Sequence, residues 1–152
     1  MSKVDVFLAR VLREEGKKPF AYNDKTGKRV TCKTDDPQTS GNLSIGEGIN
    51  LEVGLDDEEI AWLTRHRAEK VDQPLSALPW YVELDDVRGS VPLDIAFNAG
   101  LNGFLHGFPH MVTALERGDL ASAATECHVA DPTLDESRYA PLRQLLLAGG
   151  TI

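Results

Sequence analysis

Glu15, Asp24 and Ser44 are the side chains whose types and spacing could do chemistry. Glu15 stands in Arg13-Glu14-Glu15-Gly16, Asp24 in Phe20-Ala21-Tyr22-Asn23-Asp24-Lys25-Thr26-Gly27, and Ser44 in Leu43-Ser44-Ile45-Gly46-Glu47-Gly48. A carboxylic acid at a helix end, a carboxylate in a tight turn and a hydroxyl on a strand entering a glycine-flanked bend meet the needs of acid/base glycoside hydrolysis. One group protonates the leaving oxygen, while a carboxylate and a hydroxyl orient the attacking water from the opposite side. Residue type and order together predict a glycan hydrolase.

The elements that must position these groups follow from local pattern. Ser2 with Asp5 reads as a helix start, and Val4, Phe7, Leu8, Val11 and Leu12 recur at helical spacing through Glu14, with Gly16 suited to a left-handed stop. Glu15 then lies in the last turn, where the carbonyl end of the helix disfavours an anion and raises the carboxyl pKa, as suits an acid. Residues 19–22 and 28–31 read as short β runs around a hairpin loop at 23–27, residues 33–41 as an exposed loop, and 42–45 as a third strand. Leu55-Asp56-Asp57-Glu58-Glu59-Ile60 combines a capping box (Asp56, Glu59) with a hydrophobic staple (Leu55, Ile60), opening a helix expected to reach about Val71 and to end before Pro74. Helical spacing recurs over 80–87, 91–99, 109–117, 119–128 and 139–148, punctuated by Gly89, Gly100, Gly103, Gly118 and Gly149. The sum predicts one α+β domain spanning 1–152, with a cleft between two lobes. A lobe carrying a small antiparallel sheet covers about 13–55, a long helix connects it onward, and a helical lobe covers about 72–152 together with the amino-terminal helix.

Composition narrows the classes. A chain of 152 residues with 41% hydrophobic content can build one cooperative core, and it holds no apolar run of about 20 residues to span a bilayer. The amino terminus lacks a basic run followed by an apolar one, so synthesis in the cytoplasm is expected. Cys32 and Cys127 are far apart and match no metal spacing; a cytosolic origin favours free thiols over a disulfide. Net charge −8 without clustered Lys or Arg argues against nucleic acid as a partner. His106 and His110 have i,i+4 spacing, but Gly107 and Pro109 break that helix and no third ligand accompanies them, so no metal site is read there. Trp62 and Trp80 are expected in the core or at the joint between lobes, Glu47 as a solvated residue, and Asp56 to Glu59 as a helix start favoured by the dipole.

The chain resembles the phage-type lysozymes of the T-even kind, glycoside hydrolase family 24. The family pattern is a Glu-Gly ending the first helix, an Asp nine residues later in a Tyr-x-Asp-x-x-Gly hairpin, and a Thr-Ile-Gly-x-Gly strand. Glu15-Gly16, Tyr22 to Gly27 and Ser44 to Gly48 match it. Asp94-Ile95-Ala96-Phe97-Asn98-Ala99-Gly100 is similar to the central helix of the family's second lobe, and Ala114 to Ala124 to its small-residue helix pair. Arg138 falls where the family has an arginine that pairs with the catalytic Glu. The chain departs from the pattern in carrying serine for threonine at Ser44 and in the inserted segment 33–41.

This resemblance implies a lysozyme-like fold and inverting hydrolysis of the β-1,4 bond between N-acetylmuramic acid and N-acetylglucosamine in peptidoglycan. Glu15 would be the general acid, Asp24 the base or electrostatic partner, and Ser44 would help hold the water. Asn98, on the cleft floor, would contact the sugar, and Arg138 would steady the Glu15 carboxylate. It implies no cofactor, peptidoglycan as partner, no membrane insertion and a monomer made in the host cytoplasm, reaching the periplasmic wall after release by another component. The alternatives are a lysozyme-like glycan-binding or virion structural module with little turnover, and a delivered antibacterial muramidase. Retention of Glu15, Asp24 and Ser44 together favours an enzyme, because a fold kept for shape alone does not require them.

Overall fold

The structure is a computed structural model that describes residues 1–23, 26, 28–31, 41–128 and 138–149, with Glu15 described through its backbone only. Asp24, Cys32 and the segment 33–40 lie outside the described residues, as do 130–134 of the last lobe. Among the described residues are eight helices and one two-stranded antiparallel sheet, an α+β architecture. The chain divides into two compact units, a smaller one of residues 14–64 and a larger one of 1–13 with 65–152.

Helix α1 spans Lys3–Glu15. Its start is a reciprocal cap: the Ser2 backbone N–H donates to Asp5 Oδ2 at 2.9 Å, and the Asp5 N–H donates to Ser2 Oγ at 3.2 Å. Val4 and Phe7 are buried, Leu8 and Val11 partly so, while Leu12 is 55% exposed and Arg10 takes a buried position on the same helix. The helix ends as expected, on Gly16 at φ 66°, a left-handed conformation that glycine adopts without Cβ strain.

In the smaller unit, strand β1 (Ser44–Ile45) pairs antiparallel with β2 (Ile49–Asn50), Ser44 opposite Asn50 and Ile45 opposite Ile49. The turn between them uses Gly46 at φ 61° and Gly48 at φ 97°. The expected hairpin at 19–31 is reduced to a bridge between Tyr22 and Arg29, where the Asn23 N–H donates to the Lys28 carbonyl and the Val30 N–H to the Ala21 carbonyl, each at 2.8 Å. Arg29 lies over the Phe20 ring at 3.8 Å and donates to the Glu52 carbonyl at 2.6 Å. Gly54, at φ 87°, passes so close to Phe20 that a Cβ would stand 2.7 Å from the ring.

Helix α2 (Asp57–Leu75) opens on the expected capping box, with Asp56 and Glu59 exchanging backbone-to-carboxylate bonds at 2.9 and 2.8 Å. It runs past the expected stop: Pro74 sits in its last turn, where it forfeits the bond an N–H would make to the Lys70 carbonyl, a local cost set against the full burial of Leu75.

Six further helices follow among the described residues of the larger unit: α3 (Pro79–Glu83), α4 (Asp86–Ala99), α5 (Leu101–Gly107), α6 (Pro109–Glu116), α7 (Leu120–Thr125) and α8 (Tyr139–Ala148). The segment 80–87, expected as one helix, divides at Leu84–Asp85 because the Asp85 side chain accepts from the Arg88 N–H and caps a new helix. Gly89 punctuates nothing. It lies inside α4, against the Lys3 stem, in space a Cβ would fill. Helix α5 is additional, and Gly103 lies within it. Helix α4 is buried from Val87 to Ala96 apart from Arg88, and packs against α5 and α8. Trp80, Phe104, Phe108 and Tyr139 form a chain of ring contacts at 6.0–6.4 Å that joins α3, α5, α6 and α8. Trp80 and Cys127 are in the core, whereas Trp62 is 63% exposed on α2 and outside it. Among the described residues no helix is long and apolar enough to cross a membrane.

The first cap makes stability depend on acid. The Asp5 carboxyl is held well below its ordinary 3.8, first by the Ser2 backbone N–H and then by the Arg65 guanidinium and the Ser2 hydroxyl. A depressed carboxyl contributes stability that is complete above about pH 4 and is lost as pH falls through its lowered value. Asp5→Asn is expected to lower the Tm at pH 7, with the gap to wild type closing progressively below about pH 4. Thermal unfolding of both proteins across that range checks it.

Candidate functional site

The smaller unit carries the first group of expected residues. The Glu15 backbone closes α1 beside left-handed Gly16. Asp24 follows Asn23 inside the segment flanked by the Tyr22–Arg29 bridge, and is itself outside the described residues. Ser44 is exposed as the first residue of β1, and Glu47 is exposed in the turn that follows. The same unit has a groove of about 410 Å³ lined by apolar Ile49, Leu55, Trp62 and Leu63 and by acidic Asp56, Glu58 and Glu59.

The larger unit carries Asn98 and Arg138, and it brings them together on a residue that sequence reasoning passed over. Asp94, one helical turn before Asn98 on α4, is 1% exposed. Its Oδ2 accepts from Nη2 of Arg10 on α1 at 2.7 Å. Its Oδ1 accepts from Nη2 of Arg138, at the start of α8, also at 2.7 Å, and lies 3.4 Å from the Asn98 amide nitrogen. That amide also donates to the Asp94 carbonyl at 2.8 Å. Arg10 is buried with the carboxylate, while the Arg138 side chain is 38% exposed and Asn98 is exposed. Thus one buried carboxylate on α4 joins α1 and α8, and two polar side chains reach the surface from it.

The expected pairing of Arg138 with Glu15 falls outside the described residues, because the Glu15 side chain is not among them. Two signals could have pointed to Asp94 and Arg10. Asp94 is a lone charge in the otherwise uncharged run Ser90 to Phe97, and Arg10 interrupts the apolar face formed by Val4, Phe7 and Val11. A charge on a buried face requires a partner. His106 and His110, spaced for one helix, belong to two, α5 and α6, which part at Phe108.

Compared with known proteins, the chain matches no family model, no curated protein and no solved structure.

The Asp94 cluster is unequal in energy. Removing Arg10 leaves a buried carboxylate with one guanidinium fewer in a dry setting, on the order of 3–5 kcal/mol when a buried ion pair is broken. Arg138 is partly solvated and its removal leaves the Arg10 pair intact. Arg10→Ala is therefore expected to destabilise the fold clearly more than Arg138→Ala, as read from urea unfolding midpoints of the two variants.

Proposed function

We propose that this protein is a peptidoglycan hydrolase, an inverting N-acetylmuramidase of the phage-type lysozyme kind, acting as an endolysin. The observation that carries the reading is the match between local structure and chemistry around Glu15 and Ser44. Helix α1 ends on Glu15 with a left-handed glycine next, and Ser44 opens a strand that turns between Gly46 and Gly48. These are the helix-end acid and strand-borne hydroxyl that the resemblance requires, in its order, with Asp24 between them in sequence.

In this reading Glu15 protonates the glycosidic oxygen as the bond to the anomeric carbon breaks. Asp24 takes a proton from the water, or stabilises the charge developing on it, and Ser44 Oγ orients that water. The electron pair of the broken bond leaves with the departing oxygen, which the Glu15 proton neutralises, and attack from the opposite face inverts the anomeric centre. No cofactor takes part in these steps.

Glu15→Gln keeps size and hydrogen bonding but removes the transferable proton. Lysis of permeabilised Gram-negative cells, followed by turbidity, should fall about 10²- to 10⁴-fold, the usual contribution of general acid catalysis. A variant that keeps more than about a third of wild-type activity would remove Glu15 from the mechanism.

Ser44→Ala should lower kcat more than it weakens substrate binding, because the hydroxyl acts on water in the transition state. Ser44→Thr should be tolerated or improved, since the branched Cβ restricts the hydroxyl rotamer. Steady-state kinetics on solubilised glycan strands separates the two effects, and a pure KM effect in Ser44→Ala would make the residue a sugar contact instead.

A further inference from the structure

We propose that the groove at the start of α2 is a docking surface for a protein partner, and that the partner presents a basic segment carrying large apolar side chains. The groove is built by local structure and its lining lies wholly within the smaller unit. Glu58 and Trp62, and likewise Glu59 and Leu63, stand four residues apart on α2, so the four share one side of the helix. The apolar surface continues across the hairpin. Ile49 lines the groove from β2, and Ile45 is its cross-strand partner, which puts the two side chains on one face of the sheet. Trp62 is 63% exposed, Ile49 55% and Ile45 54%. An exposed tryptophan and a continuous pair of exposed isoleucines, around a groove of about 410 Å³, form surface of the kind that binding buries.

The charge decides what the partner must be. Asp56, Glu58 and Glu59 line the groove, and among the described residues no Lys, Arg or His lines it. Lys17 pairs with Asp57 at 2.5 Å, a carboxylate outside the lining, and so leaves the three lining carboxylates uncompensated by that pair. The capping box accounts for Asp56 and Glu59, each of which gives one oxygen to a backbone N–H, whereas Glu58 makes no hydrogen bond or ion pair with a described residue. A purely apolar occupant would strip water from these carboxylates and replace it with nothing. An anionic one, such as nucleic acid or an acidic lipid surface, would meet like charge as well. A second copy of this chain, docking the patch on itself across a two-fold axis, would set the same carboxylates against each other in a chain of net charge −8. Lysine or arginine flanking a large apolar side chain satisfies both parts of the groove: the apolar group buries Trp62 and Ile49, and the cation pairs with the carboxylates. This docking surface is independent of the hydrolase reading, and its test uses binding rather than turnover.

The test is selection of a random dodecapeptide library against the full chain, followed by fluorescence-anisotropy titration of the enriched peptides, with Tm measured for every variant. Enriched sequences should carry net positive charge and at least one large apolar residue. Trp62→Ala should weaken their binding about tenfold or more, the scale of an interface hot spot. Glu58→Lys should weaken it about fivefold or more at low salt, with the gap to wild type narrowing towards about 0.3 M salt as charges are screened. Val82→Ala truncates a comparably exposed apolar side chain on α3, 60% exposed, and should leave the affinity unchanged. Should Trp62→Ala not fold, Ile49→Ala on the facing strand decides, with a loss of about fivefold expected. Enrichment of acidic or uncharged sequences, or an affinity unchanged in either groove variant, overturns the proposal. So does a failure to enrich any peptide. In that case, binding of an N-acetylglucosamine oligosaccharide that Trp62→Ala abolishes would assign the groove to a sugar, and a wild-type dimer in sedimentation that Trp62→Ala dissociates would assign it to a second copy.

Discussion

The larger unit depends on one buried carboxylate. Asp94 would be untenable in a dry core without cationic partners, and it has two, reached from 84 and 44 residues away in sequence. Meeting that requirement sets where Arg10 on α1 and the start of α8 must lie against α4. The apolar contacts around it do not carry the same directional demand: Val91, Leu93, Phe104, Met111, Leu142 and Leu146 gain from burial against almost any apolar neighbour. Hydrophobic burial collapses the unit, and the ion cluster selects the register in which its helices meet.

Around that cluster, α8 is held at both ends by polar groups from elsewhere. At its start Arg138 reaches Asp94. At its end the last carbonyls, of Leu146 and Leu147, accept from Arg88 Nε and Nη2 at 3.0 and 3.4 Å, and Asp85 holds the same guanidinium at 2.7 Å. A cation at a helix carboxyl terminus satisfies carbonyls that lack intrahelical donors and complements the dipole. The Asp85 carboxyl feels burial pushing its pKa up, but the Arg88 backbone N–H and guanidinium outweigh this and hold it below its usual value. Both anchors on α8 come from α4 or its cap, so the most buried helix of the unit also organises its polar contacts.

In the candidate site, what could be read from residue types was the group whose chemistry shows in short motifs. Glu15 before a glycine and Ser44 before Gly46-Glu47-Gly48 are local patterns, whereas Asn98 was named only from the resemblance. Arg138 was named from its position in the resemblance, and among the described residues it pairs with Asp94. Asp94 and Arg10 escaped notice because each is a single polar residue in an apolar stretch, and nothing in such a stretch says which distant segment supplies the opposite charge. Trp62 shows the converse: a large apolar side chain favours the core on average, yet it lies exposed on α2 and lines the groove.

The sequence by itself determined the features that close within a few residues. The reciprocal caps of Ser2 with Asp5 and Asp56 with Glu59, the left-handed stop at Gly16 and the turn at Gly46 to Gly48 are local bonds and local sterics, indifferent to the rest of the chain. The tertiary structure alone decided that α4 continues through Gly89, that α2 retains Pro74, and that Asp94 gathers Arg10, Arg138 and Asn98. Each of these sets a local preference, or the desolvation of a charge, against burial and pairing with segments far away in sequence. Their outcome exists only once the helices have met.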